Sequence, residues 1–423
     1  MVLDNNAAES WYIIVDPDGS SGYWYRTIAR MDPSAKTVVV WSSDESKTRL
    51  MPMIPHGIKS GVEFFFNETT IDEIERMGRV KAVLPCCDSS IWLVERLQRG
   101  LTPLLSSREE TSAGRYDKMA VYDHLHQHGL MEQTRLLMPG DDISGLEISE
   151  EMVIKPIDGR GGRNVAFIKN PDDLGRYLSS SSENNRYMLQ KRSMGMEYAV
   201  DMFTIGGVHT MTALWRYDKP TSTHVKDEVT LVDPMRNREL VATISRYVRK
   251  VLSVLDMGFG PSHTEVIVGK EGSISLVEVN FRLHGHLDDL AIPRVLGRNQ
   301  ISMTIEAAMN VFEPMEDETY VFYRPLKKVY FNNVVPKYIE SIDWNPIEER
   351  IKPNFHATYK HAHLYPGFAG STTWVGDSLG VVVMIGYDMS RWASDVVVAR
   401  EFKERMVTAD SVEGLRPLEI TDP

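Results

Sequence analysis

A mixed chain, α/β at its start and α+β beyond, is the fold class that the sequence predicts, and three observations carry it. Before Gly114, short apolar runs alternate with helix-length segments. From Gly114 onward, strand pairs joined by glycine turns replace that alternation. A region combining one clear strand with one clear helix closes the chain. Alternation of strand and helix builds a parallel sheet covered by helices, whereas short strands on glycine turns build antiparallel sheets.

The elements follow in order. Trp11-Tyr12-Ile13-Ile14-Val15 reads as a buried strand that stops at Asp16-Pro17-Asp18-Gly19, and similar runs recur at Thr37–Trp41, Val62–Phe66 and Val80–Leu84. Ile71–Arg79 and Ser89–Gly100 read as the helices between and after them. The first loop holds only Gly19 and Gly22, so the G-x-G-x-x-G dinucleotide fingerprint is absent. Arg115–His128 reads as a helix stopped by Gly129. Two strand pairs follow, Met152–Lys155 with Asn164–Ile168 and Arg186–Lys191 with Glu197–Thr204. Then come a helix over Asn237–Leu255, a hairpin over Ser262–Arg282 and a helix from Ile301. Gly380–Ile385 is the late strand and Ser390–Met406 the late helix. Ser179–Ser182 is a serine-rich loop, and the polar stretch Tyr217–Lys226 is either a surface loop or a loop over a site.

The chain has 423 residues and a formal charge of −12. That acidity excludes a general nucleic-acid or anionic-membrane binder, which needs a basic face, but leaves room for a local phosphate pocket. The two cysteines, Cys86 and Cys87, are adjacent and make no disulfide framework, so a reduced, cytoplasmic protein is expected. No apolar run reaches the length of a membrane span, and no signal peptide is expected of MVLDNNAAES.

The hairpin can be worked out by register. With Glu271-Gly272 as a two-residue turn, Glu265 falls opposite Glu278, His263 opposite Asn280 and Pro261 opposite Arg282. Period two then puts Glu265, Glu278, Asn280 and Arg282 on one face, and Val266, Val268, Val277 and Val279 on the other. Directly opposed glutamates repel unless a positive charge lies between them or water solvates both. Two carboxylates and an amide oxygen suit Mg²⁺, which takes hard oxygen ligands together with substrate phosphates. A solvated hairpin face is the alternative reading.

The stretch Met152-Val153-Ile154-Lys155-Pro156-Ile157-Asp158-Gly159-Arg160-Gly161-Gly162-Arg163 sets a strand lysine beside a glycine turn. Backbone N–H groups in such a turn can converge on phosphate oxygens. It is not a P-loop, because it lacks G-x-x-x-x-G-K-[ST] and leads into a strand. A plain hairpin turn is the alternative. A phosphate-covering turn, lysines and a magnesium platform together are what nucleoside triphosphate chemistry needs.

The order of these motifs resembles the ATP-grasp superfamily, and within it carboxylate–amine ligases of the L-amino-acid ligase type. The resemblance covers most of the chain. It runs from Val15-Asp16-Pro17 and Ser20-Ser21-Gly22 through Thr111–Met119, Lys155 with Gly159–Arg163, Met188–Tyr198, Trp215–Pro220 and Gly260–Glu265 to Val277–His286. It implies an ATP-grasp fold with a Rossmann-like pre-ATP-grasp domain at 1–112, a central lid region at 113–206 and a C-terminal α+β part at 207–423. The chain departs from the pattern at three positions. Gln190 stands where Glu is frequent, Phe281 where Pro is usual and His286 where Gly is usual.

By the same resemblance, Lys118, Lys155 and Gly159-Arg160-Gly161-Gly162 hold the triphosphate. Gln190, Lys191 and Arg192 take adenine, and Glu197 takes the ribose hydroxyls. Glu265, Glu278 and Asn280 hold two magnesium ions, with manganese as a substitute, and Arg282 stabilises the transferring phosphoryl group. Arg216, His284, Gly285 and His286 border the substrates; packing roles for Trp215, Tyr217 and His286 are the alternatives. The implied partners are a small carboxylate and an amine, both amino acids, with no nucleic acid and no membrane. A homodimer is expected. The implied chemistry is ADP-forming amide synthesis through an acyl phosphate.

Overall fold

Burial of the first apolar runs organises the start of the chain in the computed structural model, which describes residues 9–54, 61–157, 159, 162–181, 185–220, 225–285, 287, 290–313, 319–333, 337–339, 342–360, 367–369, 372 and 378–408. The chain forms two compact units. The first takes Met1–Gln133, Tyr198–Leu214 and Asp233–Phe322, and the second takes Thr134–Glu197, Trp215–Val232 and Tyr323–Pro423.

In the first unit, β1 (Ser10–Val15), β2 (Lys36–Trp41), β3 (Val62–Phe65) and β4 (Arg79–Pro85) make a parallel sheet in the order β3-β2-β1-β4, as the alternation predicts. Trp11, Ile13 and Val15 pack with Val38, Val40 and Val83 against Leu93, Val94 and Leu97 of the helix Ile91–Leu101. Tyr12 and Ile14, pointing the other way, are also fully buried, so both faces of the sheet are covered. The single helix expected over Arg115–His128 is two, Ala113–Tyr116 and Lys118–Gln127. Asp117 breaks it: its backbone is extended and its carboxylate accepts hydrogen bonds from the N–H groups of Met119 and Ala120.

In the second unit, β5 (Arg135–Leu137), β6 (Met152–Pro156), β7 (Ala166–Ile168) and β8 (Tyr187–Lys191) form an antiparallel sheet in the order β5-β8-β6-β7. The predicted pairing of the Met152 and Ile168 strands is present. The predicted pairing of Arg186–Lys191 with Glu197–Thr204 is not. β8 is taken on both sides by β5 and β6, and the next strand, β9 (Met196–Ile205), joins a different sheet. Nearly every residue of β9 is buried, which requires a central position between neighbours rather than the edge of a hairpin.

That sheet runs in the first unit in the order β13-β12-β9-β10, with β10 at Val208–Asp218, β12 at Phe259–Val268 and β13 at Ile274–Asn280. The helix Arg238–Val254 precedes β12, as expected. In the second unit, the Trp215–Asp218 end of β10 pairs with β11 (Glu228–Leu231). Beyond it come β14 (Leu326–Tyr330), β18 (Gly380–Ile385) and β16 (Phe355–Lys360). β15 (Lys337–Ile339) and β17 (Gly367–Ala369) make a separate pair. The polar loop expected from Tyr217 therefore begins later, because Tyr217 and Asp218 still lie in β10 and Tyr217 is buried.

The β12–β13 hairpin departs from the predicted register in two places that cancel. Gly269 N–H donates to Ser273 O (2.9 Å) and Gly272 N–H to Gly269 O (3.0 Å), so the connection has three residues, Lys270-Glu271-Gly272, not two. Gly272 sits at φ +79°, the left-handed position that such a loop reserves for glycine. The turn shifts the register by one, giving Val266↔Leu276. A bulge between Glu265 and Val266 then restores Glu265↔Glu278, Thr264↔Val279 and His263↔Asn280. The extra residue is Val277, so Leu276 rather than Val277 joins Val266 and Val279 in the buried set. Pairing ends at Asn280, and Arg282 lies beyond the ladder instead of opposite Pro261.

Candidate active site

In the first unit, strands β13, β12 and β9 bring a row of polar side chains to one face. Glu265 and Glu278 stand opposite each other, both half-buried. The Asn280 amide nitrogen donates to Glu278 Oε1 (3.0 Å), which leaves the amide oxygen as the end that can ligate. Asn280 faces His263, and His263 faces Asp201 on β9, its Nδ1 donating to Asp201 Oδ1 at 3.3 Å. His263 Nε2 lies 3.4 Å from Glu265 Oε1. His284 Nδ1 donates to the same Asp201 carboxylate, 3.2 Å from Oδ1.

Electrostatics follow from this packing. Burial alone would raise the Asp201 carboxyl, but His284 and His263 override it and hold the group well below the usual carboxylate range. Burial alone would lower the His263 imidazole, but the Asp201 and Glu265 carboxylates raise it. Tyr122 is raised first by burial and then by Glu278 and Glu265, two negative charges acting on one phenol. Its hydroxyl donates to Val277 O (3.2 Å).

Among the described residues, two sets are candidates for a cation. Glu265, Glu278 and Asn280 offer three oxygens on one face, half-exposed at the carboxylates, and the donor chemistry fits Mg²⁺. Asp201, His263 and His284 also bring ligand atoms close together, all buried. The two rings, however, are stacked with centroids 4.1 Å apart and planes inclined by 26°. Planes so nearly parallel meet far beyond a metal–nitrogen bond of about 2.0–2.1 Å, so both rings cannot aim at one ion. That cluster is a hydrogen-bonded one.

Arg282 follows the hairpin. Its Nη2 donates to Asp88 Oδ2 (2.9 Å) and its Nη1 to Leu283 O (2.8 Å). Burial opposes its charge, yet Asp88, Glu278 and Asp18 raise it and keep the guanidinium protonated. Asp88 follows the carboxyl end of β4, and Asp18 follows β1, where it accepts from the Ser20 N–H (2.8 Å) and hydroxyl (2.6 Å). The crevice outside the carboxyl ends of parallel strands is where α/β sheets bind ligands. Lys118, half-buried, opens the helix that Asp117 caps.

In the second unit, Lys155 lies half-buried in β6, paired in register with Met188. Gly159 and Gly162 of the turn are described, Gly162 at φ +81°; Arg160 and Gly161 lie outside the described residues. The Gln190 amide nitrogen donates to Thr134 Oγ1 (2.7 Å), which leaves its oxygen for a base. Lys191 pairs with Glu150 (2.7 Å). Arg192 pairs with Glu151 and stacks over Phe167, 3.7 Å from the ring centre, and its backbone N–H donates to Glu151 O (2.9 Å). That N–H is therefore committed within the unit. Glu197 is buried and receives Lys219 Nζ on both oxygens, at 2.6 and 2.7 Å. Trp215 and Tyr217 point into the core, while Arg216 turns outward and pairs with Asp218 (3.0 Å).

Of the substrate candidates in the first unit, His284 is buried on Asp201, and a Cβ added at Gly285 would meet nothing within 4 Å. His286 lies outside the described residues. Three participants escaped sequence reasoning. Asp201 had a visible signal, a lone carboxylate inside the apolar run Tyr198–Phe203. Asp88 had a weaker one, its place just after a strand of a parallel sheet. Lys219 lies in the stretch Trp215–Pro220 that carries the resemblance, which gave it no role of its own.

Residues 148–287 match the family model of the ATP-grasp domain. That stretch is an ATP-grasp domain. Among curated proteins, the chain is 24% identical over 259 residues to dapdiamide A synthase of Enterobacter agglomerans; the aligned part is 57% of this chain and 60% of that one. Among solved structures it is similar to the L-amino acid ligase from Bacillus licheniformis, with a TM-score of 0.68 and 15% identity over 93% of this chain and 97% of that one. It is also similar to carboxyaminoimidazole ribonucleotide synthase from Aspergillus clavatus, with a TM-score of 0.66 and 15% identity over 94% and 99% of the two chains. The matches bear out the fold class: an ATP-grasp architecture combining a parallel sheet with antiparallel ones.

Proposed function

We propose that this ATP-grasp protein is an ADP-forming carboxylate–amine ligase that joins an amino acid, or an N-acyl amino acid, to a second amino acid. The observation that carries the reading is Glu265 opposite Glu278, with Asn280 beside them and Arg282 just beyond the strand. The likeness to an L-amino acid ligase and to dapdiamide A synthase supports amino-acid substrates. Two magnesium ions, or manganese in their place, would be held by Glu265, Glu278 and Asn280 and, when bound, would neutralise charge on the β- and γ-phosphates.

In this reading a substrate carboxylate oxygen attacks the γ-phosphorus, and ADP leaves with the electrons of the broken P–O bond. The amine nitrogen then attacks the acyl carbon, phosphate leaves with the electrons of the C–O bond, and the nitrogen gives up a proton. Arg282 is aimed by Asp88 and carries a permanent positive charge, so it suits the transferring phosphoryl group and then the tetrahedral oxyanion. Lys118 in the first unit, and Lys155 with the Gly159–Gly162 turn in the second, are assigned to phosphate oxygens. Gln190 and Glu197 are assigned to adenine and ribose. Positioning and electrostatics suffice for such transfers, so no nucleophilic side chain is needed. Cys86 and Cys87, both buried, stay outside the chemistry. A reaction that consumes ATP and amino acids fits the cytoplasm.

A non-amino-acid carboxylate is the second reading, favoured by the nearly equal likeness to carboxyaminoimidazole ribonucleotide synthase. A matrix of paired amino acids and small carboxylic acids, assayed for phosphate release with mass spectrometry of products, separates the two. Dipeptide masses are expected. Nucleotide binding without turnover across the whole matrix would reject the ligase reading. Glu278→Gln should lower turnover by about 10²–10³-fold with the melting temperature retained; full activity would remove Glu278 from the site.

A further inference from the structure

Asp201 is a buried carboxylate on a central strand, 2% exposed, and it accepts from two imidazoles that lead in different directions. Through His263 it reaches Glu265, because the far ring nitrogen of His263 lies 3.4 Å from Glu265 Oε1. Through His284 it reaches the segment Phe281–His284 that carries Arg282 away from the hairpin. His263 and Glu265 are two residues apart on β12, so their side chains share a face, and Asn280 stands across from His263. Both nitrogens of His263 face carboxylate oxygens, which only accept, so the ring is held from both sides. The stacked contact at 4.1 Å fixes the two imidazoles relative to each other.

We propose that Asp201 is the common positioning residue of the reaction centre: through His263 it aims the metal ligand Glu265, and through His284 it holds the arm that presents Arg282. The inference rests on the reading of Glu265 as a magnesium ligand. Partners of this kind behind a ligand typically alter metal affinity or activity by about 10–100-fold when removed. Two branches on one carboxylate give a signature that a general packing role does not. The His263 branch moves ion affinity, the His284 branch moves turnover, and Asp201 moves both.

The test uses the full-length protein with Mn²⁺ as probe. Mn²⁺ affinity is measured by electron paramagnetic resonance of the free ion in the presence of ADP, ADP affinity without metal by calorimetry, and kcat by phosphate release. His263→Ala is expected to weaken Mn²⁺ binding by about 10–100-fold and leave metal-free ADP binding unchanged, with His263→Gln recovering part of the loss. His284→Ala is expected to keep Mn²⁺ affinity within about twofold and lower kcat at least about tenfold. Asp201→Asn, close to isosteric, is expected to do both, and it carries the test should His263→Ala fail to fold. Wild-type Mn²⁺ affinity in Asp201→Asn, with Glu265→Gln losing it, overturns the anchor and keeps the ligase reading. Wild-type affinity in Glu265→Gln overturns the platform beneath both.

Discussion

Glu197 and Lys219 form an ion pair, and under the proposed assignment of Glu197 to the ribose its geometry bears on nucleotide affinity. The Glu197 side chain is 10% exposed and both its oxygens are held by one ammonium group, with Lys219 itself 21% exposed. A carboxylate has about four acceptor sites, so the ribose hydroxyls assigned to Glu197 can bind with Lys219 in place. Lys219 then orients the carboxylate before nucleotide arrives. Glu197→Gln preserves shape and one acceptor but converts charge-assisted bonds to neutral ones, a loss of about 1–2 kcal/mol. The ATP KM should rise about 5–30-fold with kcat little changed, because the ribose is remote from the reacting phosphorus. Steady-state kinetics with ATP varied checks this; a fall in kcat at unchanged KM would detach Glu197 from the ribose.

The hairpin of β12 and β13 shows what can be read from an element alone. Period-two alternation and an X-Gly pair place Glu265 opposite Glu278, and the structure agrees. The route differs: the turn has one residue more than expected, and the bulge at Val277 absorbs the shift. Bulge and loop length depend on strand twist, which local sequence does not display, whereas the requirement that Val266 and Val279 be buried does survive in the pattern. The parallel strands and the long helix Arg238–Val254 were legible for the same reason, since each rests on local periodicity, whereas the helices Ser21–Met31 and Asp44–Leu50 were not read. Pairing of β8 with β5 and β6, and the meeting of Asp201 with His263 and His284, were not, because they join segments far apart in sequence. The same hairpin supplies a graded prediction. Gly272→Ala meets no atom within 4 Å and costs only the left-handed backbone, about 1–2 kcal/mol. Gly258→Ala, just before β12, would drive its Cβ to 2.2 Å from Ser106 O, so the loss should be larger, about 3 kcal/mol. Urea midpoints should rank wild type above Gly272→Ala and Gly272→Ala above Gly258→Ala.

At the scale of the molecule, each compact unit is assembled from three separate stretches of chain, so its stability depends on joints that no single stretch contains. One such joint in the second unit is Glu228. It comes from β11, is 5% exposed, and accepts from Lys327 of the neighbouring strand and from Arg400 of the late helix, whose Nη2 lies 2.7 Å away. Burial would raise its carboxyl, but the hydrogen bonds and charges of Arg400 and Lys327 pull it from 4.5 to about 2. A carboxylate lowered in the folded state adds stability that is complete above its unfolded value and is lost as pH falls through the folded one. Stability should therefore decline between pH 4.5 and 2 as Glu228 takes up its proton. Glu228→Gln removes that titration and takes from Lys327 and Arg400 their shared carboxylate at neutral pH. Breaking a fully buried pair costs about 3–5 kcal/mol, and the near-half exposure of Arg400 reduces this to about 2–3 kcal/mol. The variant should unfold at lower urea than wild type at pH 7, and the gap should narrow as both are taken toward pH 3. A gap that stays constant with pH would mean that Glu228 contributes by packing and not by charge.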